Sequence, residues 1–190
     1  HAGTADFDRM YAAWLDDFAS REVEAIGFGV ITLARPMTDR QAFVDLVEVR
    51  HQVDAPMGPT ILAGLFARTW LAEHSDDDVL DTTRVMAADV HEERHTLPGA
   101  ADPSRIRLHQ GGGLRRTVDL TTVTAAYASV CDGELSARVA AAAIAGVLGV
   151  EAEAVREEIV AFVRDTARDG LLVSASSVAM TTDSADTNRL

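Results

Sequence analysis

The segment 91–95 reads HEERH and matches the pattern H-E-x-x-H. On a helix, this spacing places two imidazoles on one face, where they bind Zn²⁺ while the glutamate acts as the base for a zinc-bound water. The residues before His91 resemble a strand and Pro98 follows closely, so the context does not favour a helix through His95. His109 is a formal candidate for a third ligand. The segment is either the zinc site of a hydrolase or a solvated polar loop, and the sequence favours the loop.

The segment 110–116, QGGGLRR, is a second stretch whose composition suits binding. Glycines expose backbone N–H groups, and arginines bind phosphate or carboxylate through two parallel hydrogen bonds. The G-K-[ST] ending of a P-loop does not occur in it. Either the segment contacts an anion or a nucleic acid, or it is a flexible loop whose arginines pair with nearby acids such as Asp102 and Asp119. The candidate contact residues are Arg107, Gln110, Gly111, Gly112, Gly113, Arg115 and Arg116.

Two further polar features have simpler structural interpretations. Cys131 is the single cysteine, so no internal disulfide is possible. It has no neighbouring base or positive cluster in the sequence, which predicts a small buried residue instead of a nucleophile. The acidic run from Asp76 to Asp78 is expected to cap a short helical turn after Ser75 instead of binding a metal ion.

Composition limits the class of protein. The 190 residues carry a net charge of −13, and all 17 basic residues are Arg. This acidic balance disfavours general adhesion to nucleic acid, although a local Arg patch could overrule the average. Apolar residues make up 47 % of the chain, which is enough for a core. No apolar run approaches the ~20 residues of a membrane helix and no signal peptide is visible, so we expect a cytoplasmic location.

Apolar periodicity predicts an α+β fold. Three- and four-residue spacings predict helices over residues 6–21 and 60–74. The stretches Val23–Leu33 and Phe43–Val53 predict an antiparallel strand pair, and the first is apolar on both faces, as in strands covered on both sides. Such a pair is marginal alone, so we expect a missing sheet or a partner. Further strands are predicted over residues 83–90, 104–108 and 114–120.

The last third of the chain has a different pattern. Helices are predicted over residues 121–130, 136–148 and 151–169, followed by a hairpin of residues 171–173 and 178–180. Three short helices followed by a hairpin is the order of a winged helix, in which the third helix reads DNA. Six acids outnumber three arginines in that third helix and would repel phosphates. Packing or protein contact is therefore favoured for this module.

Several stretches together resemble one enzyme family. The segments 11–18, YAAWLDDF, and 23–33, VEAIGFGVITL, resemble the end of a class I methyltransferase domain. Pro98-Gly99, Asp102-Pro103, segment 110–116, Asp132-Gly133 and segment 169–172, DGLL, resemble the C-terminal extension of the same proteins. These are predicted bacterial S-adenosylmethionine-dependent methyltransferases, related to the glutamine N5-methyltransferases that modify release factors. The resemblance covers nearly the whole chain.

The resemblance implies that Val23–Leu33 and Phe43–Val53 form the final antiparallel pair of a catalytic sheet. The family's Gly-rich cofactor loop and N-P-P-[FY] substrate motif do not occur in this sequence, so no catalytic or cofactor residue can be carried over. We therefore expect a C-terminal accessory or substrate-recognition region cut from a longer enzyme, inactive by itself. S-adenosylmethionine would be the cofactor of the parent protein, with none in this region. The alternative is a winged-helix module that binds nucleic acid.

The predicted organisation has four parts. Residues 1–56 are the end of the catalytic domain, 57–120 a middle α+β segment, 121–182 a winged-helix-like module, and 183–190 a disordered tail. The expected partners are the enzyme's own N-terminal catalytic domain and a methyl acceptor, either protein or nucleic acid. The unpaired edge of Val23–Leu33 also predicts cover by the first helix or assembly into a homodimer.

Overall fold

A computed structural model of the protein describes residues 2–35, 42–50, 52–54 and 57–175. The chain divides into two compact units, residues 1–35 and 36–190. The described residues form a mixed α+β structure, as the sequence predicts. Its helices are α1 (Ala2–Ser20), α2 (Met57–Glu73), α3 (Asp76–Leu80), α4 (Thr122–Ala128), α5 (Ala137–Leu148) and α6 (Ala152–Arg168). Its strands are β1 (Thr83–Met86), β2 (Val90–His95), β3 (Arg105–Gln110), β4 (Thr117–Leu120), β5 (Asp132–Ser136) and β6 (Leu172–Ser174).

The first unit contains the predicted N-terminal helix, α1, and then a segment without regular secondary structure. The apolar stripe of α1 does form, but apart from the half-buried Phe18 its large side chains are half or more exposed, with Trp14 at 62 %. Residues 23–35 form neither helix nor strand. The predicted strand Val23–Leu33 is therefore wrong for this structure, because no neighbouring strand is placed to bond its backbone.

The predicted partner strand, Phe43–Val53, is also wrong where the structure describes it. Residues 42–50 and 52–54 have no regular secondary structure, and residue 51 lies outside the described residues. Within the second unit, this segment is nonetheless bonded to α2 and to the loop after β3. The Asp45 carboxylate pairs with Arg68 of α2, and the Asp54 N–H donates to the carbonyl of Gly113 at 3.0 Å.

Two antiparallel three-stranded sheets are built from the strands of the second unit. The first sheet has the order β5-β1-β6, so the short β1 lies between two strands that come much later in the chain. The second sheet has the order β2-β3-β4, in which each strand pairs with the next along the chain. The predicted segments 57–120 and 121–182 thus share the first sheet.

Two of the observed strands fall where the sequence predicts other structure. The segment 91–95 belongs to β2, not to a solvated loop, and the segment Asp132–Ser136, where no strand is predicted, forms β5. Strand β2 pairs with β3, which follows it after a loop, and β5 pairs with β1, which lies much earlier in the chain. Tertiary pairing overrides a weak local pattern here, which is common for strands with few apolar residues.

Helix α6 lies at the centre of the second unit. It packs against α2, α3, α4 and α5 and against β6. The ring of Phe162 meets Tyr127 of α4 edge-on, with centroids 6.2 Å apart. Burial of one side of α6 is what gathers the other elements around a single core. The buried residues of α6 are Val155, Ile159, Val160, Phe162, Val163, Thr166 and Ala167.

Local sequence signals set the ends of the last two long helices. Ser136 caps α5, because its side chain accepts from the N–H of Val139. Gly149 ends the same helix with φ of 66°, a left-handed conformation that glycine adopts without strain. Gly170, with φ of 79°, follows α6 and turns the chain into β6. The predicted second hairpin strand, 178–180, and the predicted tail, 183–190, lie outside the described residues.

Replacing Ile159 by Ala should destabilise the second unit by about 2–5 kcal/mol, because the side chain is fully buried and its removal leaves a cavity. The measurement is the free energy of unfolding from urea denaturation. Val147→Ala is the matched control, since Val147 is 86 % exposed on α5 and should change the stability by about 0.5 kcal/mol or less. Equal losses in the two variants would contradict the central place of α6.

Candidate functional site

The Gly-rich loop between β3 and β4 is clamped onto Asp89. The N–H of Gly111 donates to the Asp89 carbonyl at 2.7 Å, and the N–H of Gly112 donates to the Asp89 carboxylate at 3.0 Å. A Cβ at Gly111 would lie 2.8 Å from the Asp89 carbonyl oxygen, so the close approach requires glycine. The N–H groups of Gly111 and Gly112, which the sequence predicts as anion contacts, are therefore already engaged in hydrogen bonds to Asp89.

Gln110 and Arg116 join this loop to the end of α6. The Gln110 amide donates to the carbonyl of Asp169 at 3.1 Å, and its oxygen accepts from the N–H of Arg116 at 3.4 Å. The Arg116 guanidinium lies 3.4 Å from the Asp169 carboxylate and its side chain is only 20 % exposed. These two predicted contact residues thus hold the loop against α6.

The other two predicted arginines lie in different places: Arg115 is in the loop and Arg107 is on the sheet. Arg115 is 49 % exposed and lies 3.7 Å from the Asp54 carboxylate. Its φ of 49° is unusual for a residue other than glycine. Arg107 lies on β3 and donates to Asp119 at 2.9 Å. The candidate set therefore splits between the loop and the sheet surface instead of forming one cluster.

The segment 91–95 is a strand, which removes the helical geometry that a zinc protease needs. Along a strand, four residues span about 13 Å, so His91 and His95 cannot bind one ion together. In residues 2–35, 42–50, 52–54 and 57–175, no group of three or more His, Cys, Asp or Glu is placed to hold a metal ion. The weak zinc candidate of the sequence, with His109 as third ligand, is not assembled there.

The strand alternation instead creates a polar face on the second sheet. We use "polar face" for the side chains that share one side of β2, β3 and β4, opposite to the side that packs on the core through Leu108 and Val118. The polar face consists of His91, Glu93, His95, Arg105, Arg107, His109, Thr117 and Asp119.

Two carboxylates organise the polar face. Glu93 pairs with His95 at 2.8 Å and with the Nε2 of His109. His109 also contacts the Thr117 hydroxyl through Nδ1 at 3.1 Å. Each histidine that touches Glu93 therefore comes from a different strand, and the carboxylate links β2 to β3.

Asp119 is the second carboxylate. It accepts from Arg105 at 2.8 and 2.9 Å and from Arg107 at 2.9 Å. The hydrogen bonds from these guanidinium groups hold the pKa of Asp119 well below its usual value. A hydrogen bond from His109 likewise lowers the pKa of Glu93. The charges of the polar face are thus largely satisfied by one another.

The sequence contained a signal for this face, in the alternation of polar and apolar residues. On β3, Arg105, Arg107 and His109 alternate with Ile106 and Leu108, which is the two-residue period of a strand with one buried side. The H-E-x-x-H pattern is compatible with the same two-residue period in β2. Its first and last residues are four apart, and residues an even number of positions apart lie on the same side of a strand. A period of two, applied to segment 91–95, would have found the face.

The two residues with simple structural interpretations behave as expected. Cys131 is buried, its thiol donates to the Tyr127 carbonyl at 3.2 Å, and burial raises its pKa to about 11. The Ser75 side chain accepts from the N–H of Asp78, whose carboxylate in turn accepts from the N–H of Ser75. This reciprocal pair caps α3, so the acidic run has a structural role.

A groove of about 390 Å³ lies between α2 and α6. Arg164, which lines this groove, donates to the carbonyls of Leu71 and His74 at 3.0 and 2.9 Å and pairs with Asp76 at 2.7 Å. Arg168, also on its wall, pairs with Asp165. The groove thus presents arginines whose bonds are already made, and its polar groups serve the packing of α2 on α6.

Comparison with known proteins gives no relative: no protein-family model, no curated protein and no solved structure matches this chain. Within the described residues, every helix is too short or too polar to cross a bilayer. The fold and the polar contacts are therefore the basis for any functional conclusion.

Replacing Asp119 by Asn should remove a part of the stability that depends on pH. Because the folded state lowers the pKa of Asp119, its stabilisation is present above the unfolded pKa of about 4 and is lost as the pH falls. The difference in melting temperature between wild type and Asp119→Asn should therefore shrink as the pH falls below about 4. In an Arg105→Gln/Arg107→Gln background, Asp119→Asn should have no such pH-dependent effect.

Replacing Gly111 by Ala should loosen the clamp on Asp89, because the added methyl meets a backbone oxygen that cannot move alone. We expect a loss of about 1–3 kcal/mol, typical of overpacking. Gly146→Ala is the control: nothing lies within 4 Å of its added Cβ, and in a helix it should stabilise by about 0.5–1 kcal/mol. Opposite signs in urea denaturation support the clamp, and an unchanged Gly111→Ala protein would contradict it.

Proposed function

We propose that this chain is the C-terminal accessory and substrate-recognition region of a cytoplasmic S-adenosylmethionine-dependent methyltransferase. It braces the catalytic domain and has no catalytic site of its own. The resemblance of the segments around Trp14, Phe28 and Asp169 to the family supports this proposal. The observation that carries it is the exposure of two apolar segments that neither sheet includes.

The first of these segments lies in the first unit. Phe28 is 99 % exposed, Ile31 88 % and Leu33 91 %. A soluble protein does not leave such a run of large apolar side chains in water without a function for it. Burial of these three side chains would stabilise an assembly by about 1.5–3 kcal/mol each.

The second segment lies in the second unit and has the same character. Val44 is 87 % exposed and Leu46 91 %, although Asp45 between them is tied to Arg68. The ion pair fixes one side of the segment to α2 and leaves its apolar neighbours outward. On α2 itself, Phe66 is 64 % exposed. These side chains suit a surface that a further domain covers.

A catalytic sheet is the partner that both segments fit best. Their sequences have strand periodicity, and the first is apolar on both faces, as in strands that are covered by helices on both sides. Where the structure describes them, neither segment belongs to a strand of either sheet, and a strand requires backbone partners along its length. We therefore propose that they complete the end of the catalytic sheet, whose remaining strands would supply those partners.

The winged-helix-like assignment of residues 121–182, which the structure describes as far as residue 175, belongs to the same proposal. The order α4, β5, α5, α6 and β6 supports it, and β1 enters from earlier in the chain. Helix α6 would be the reading helix of such a module, yet seven of its residues are buried against other elements. Its outer side carries acids such as Glu153 and Asp165. These observations favour a packing role over nucleic-acid binding.

The test compares the complete reading frame that encodes this chain with the 190-residue chain alone. Titration calorimetry with S-adenosylmethionine should show binding to the complete protein and none to the isolated chain. In the complete protein, Ile31→Asp should lower the melting temperature, because a charge would enter the completed sheet. Glu24→Gln, in the same segment, is the matched control and should leave the melting temperature unchanged.

Two outcomes would overturn the proposal. One is a complete protein that does not bind S-adenosylmethionine. The other is an Ile31→Asp variant as stable as the Glu24→Gln control, which would leave the apolar segment uncovered. Sedimentation of the isolated chain separates a third case, because a stable dimer dissociated by Ile31→Asp would assign the segment to self-association instead.

A further inference from the structure

Arg84, in the middle of β1, is a buried arginine that has no carboxylate partner among the residues that the structure describes. Its side chain is only 7 % exposed. Its Nε donates to the Thr82 hydroxyl at 3.0 Å, and its guanidinium lies over the ring of Trp70, 4.8 Å from the centroid. Burial raises the pKa of the neighbouring Tyr127 hydroxyl and Cys131 thiol, so neither supplies a negative charge to Arg84 near neutral pH. The charge of Arg84 is thus not neutralised by any described residue.

This situation sets Arg84 apart from the other arginines of the described residues. Apart from the exposed Arg35, each of them pairs with an aspartate or glutamate. The paired arginines are Arg9, Arg21, Arg50, Arg68, Arg94, Arg105, Arg107, Arg115, Arg116, Arg138, Arg156, Arg164 and Arg168. A buried charge without a counter-charge is costly, so an unpaired arginine at the most buried of these positions calls for a partner.

The terminal nitrogens of Arg84 have no hydrogen-bond partner among the described residues. Among the described side chains, Arg116 Nε is the one fully buried polar atom without a hydrogen-bond partner, so the described residues alone do not seal off the terminal nitrogens of Arg84. The side chain as a whole is 7 % exposed, so the described residues cover most of it and leave its two terminal donors unbonded.

The surroundings hold this guanidinium in a fixed orientation. The Thr82 hydroxyl that accepts from Nε itself donates to the Val79 carbonyl at 2.7 Å. Trp70, beneath the guanidinium, is stacked on His74 with centroids 4.0 Å apart. A planar cation fixed by a hydrogen bond and an aromatic ring is pre-organised for a ligand that takes two parallel hydrogen bonds.

We propose that Arg84 is the receptor for a single carboxylate, bound end-on by its two terminal nitrogens. One guanidinium among neutral neighbours balances one negative charge, and a planar carboxylate matches its two parallel donors. A phosphate carries more charge than this site offers, and the net charge of −13 opposes a polyanion. This site does not depend on the proposed methyltransferase role.

The test uses Trp70 as the reporter, in a Trp14→Phe background so that the second tryptophan is silent. The probes are acetate and a capped Gly-Asp-Gly peptide, titrated against sodium chloride at constant ionic strength. We expect saturable changes in fluorescence with a carboxylate probe and none with the Gly-Asn-Gly analogue. Arg84→Met should weaken binding by about tenfold or more, as for loss of a charged double hydrogen bond.

Arg94→Met is the matched control, since Arg94 is an exposed strand arginine already paired with Glu92, and it should bind as wild type does. Should Arg84→Met fail to fold, the Nε–Hε resonance of Arg84 in the unmutated protein gives the same answer by NMR. A shift of that resonance with the carboxylate probes, and not with chloride, is the expected result.

Comparison of the two probes, acetate and the peptide, also distinguishes a free small carboxylate from an acidic side chain of a protein. Saturation with both probes, or with acetate alone, assigns the site to a free small carboxylate, whereas saturation with the peptide alone assigns it to an acidic side chain of a protein. Either result supports the receptor. No saturation with either probe, or equal binding to Arg84→Met, would overturn it.

Discussion

The burial of one side of α6 is the constraint on which the second unit depends. No other helix touches so many elements, and the side chains that do so, Ile159 and Val163 among them, are without solvent contact. Its C-terminus is defined locally by Gly170, but its place is defined by apolar area removed from water.

Carboxylates control the polar contacts around this core. Asp169, at the end of α6, lies close to Arg116 and Arg68, while Asp119 and Glu93 connect the strands of the second sheet. Because every basic residue is Arg, Asp169 and Asp119 each meet a planar guanidinium with several donors, whereas Glu93 pairs with two histidines. An acidic chain without lysine can thus satisfy many arginines on its own surface, and an arginine left without an acid is conspicuous.

The helices could be predicted from the sequence because their signals are local. Apolar spacing, the Ser136 cap and the stop at Gly149 lie within a few residues of the elements that they define. The strands were predicted less well, since their partners come from elsewhere. Segment 132–136 carries few apolar residues and becomes β5 only because β1 is beside it. Conversely, Val23–Leu33 has a strong strand pattern and no partner, so pattern alone did not suffice.

The candidate site shows the same division. The loop at 111–113 was found from composition, but its clamp on Asp89 depends on a residue more than twenty positions earlier, which no local pattern reveals. The polar face was concealed by a motif usually assigned to helices. The Arg84 and Trp70 contact joins β1 to α2 and had no signal in the sequence at all.

The position of β1 decides how this polypeptide can be dissected. Residues 83–86 fill the middle of the first sheet, between strands that end at residues 136 and 174. A fragment that starts at residue 121 would keep the outer two strands and lose the one that joins them. Its two remaining strands would each expose an unsatisfied backbone edge, a known route to aggregation. The C-terminal module is therefore not a separable cassette, and it must be synthesised together with the residues that precede it.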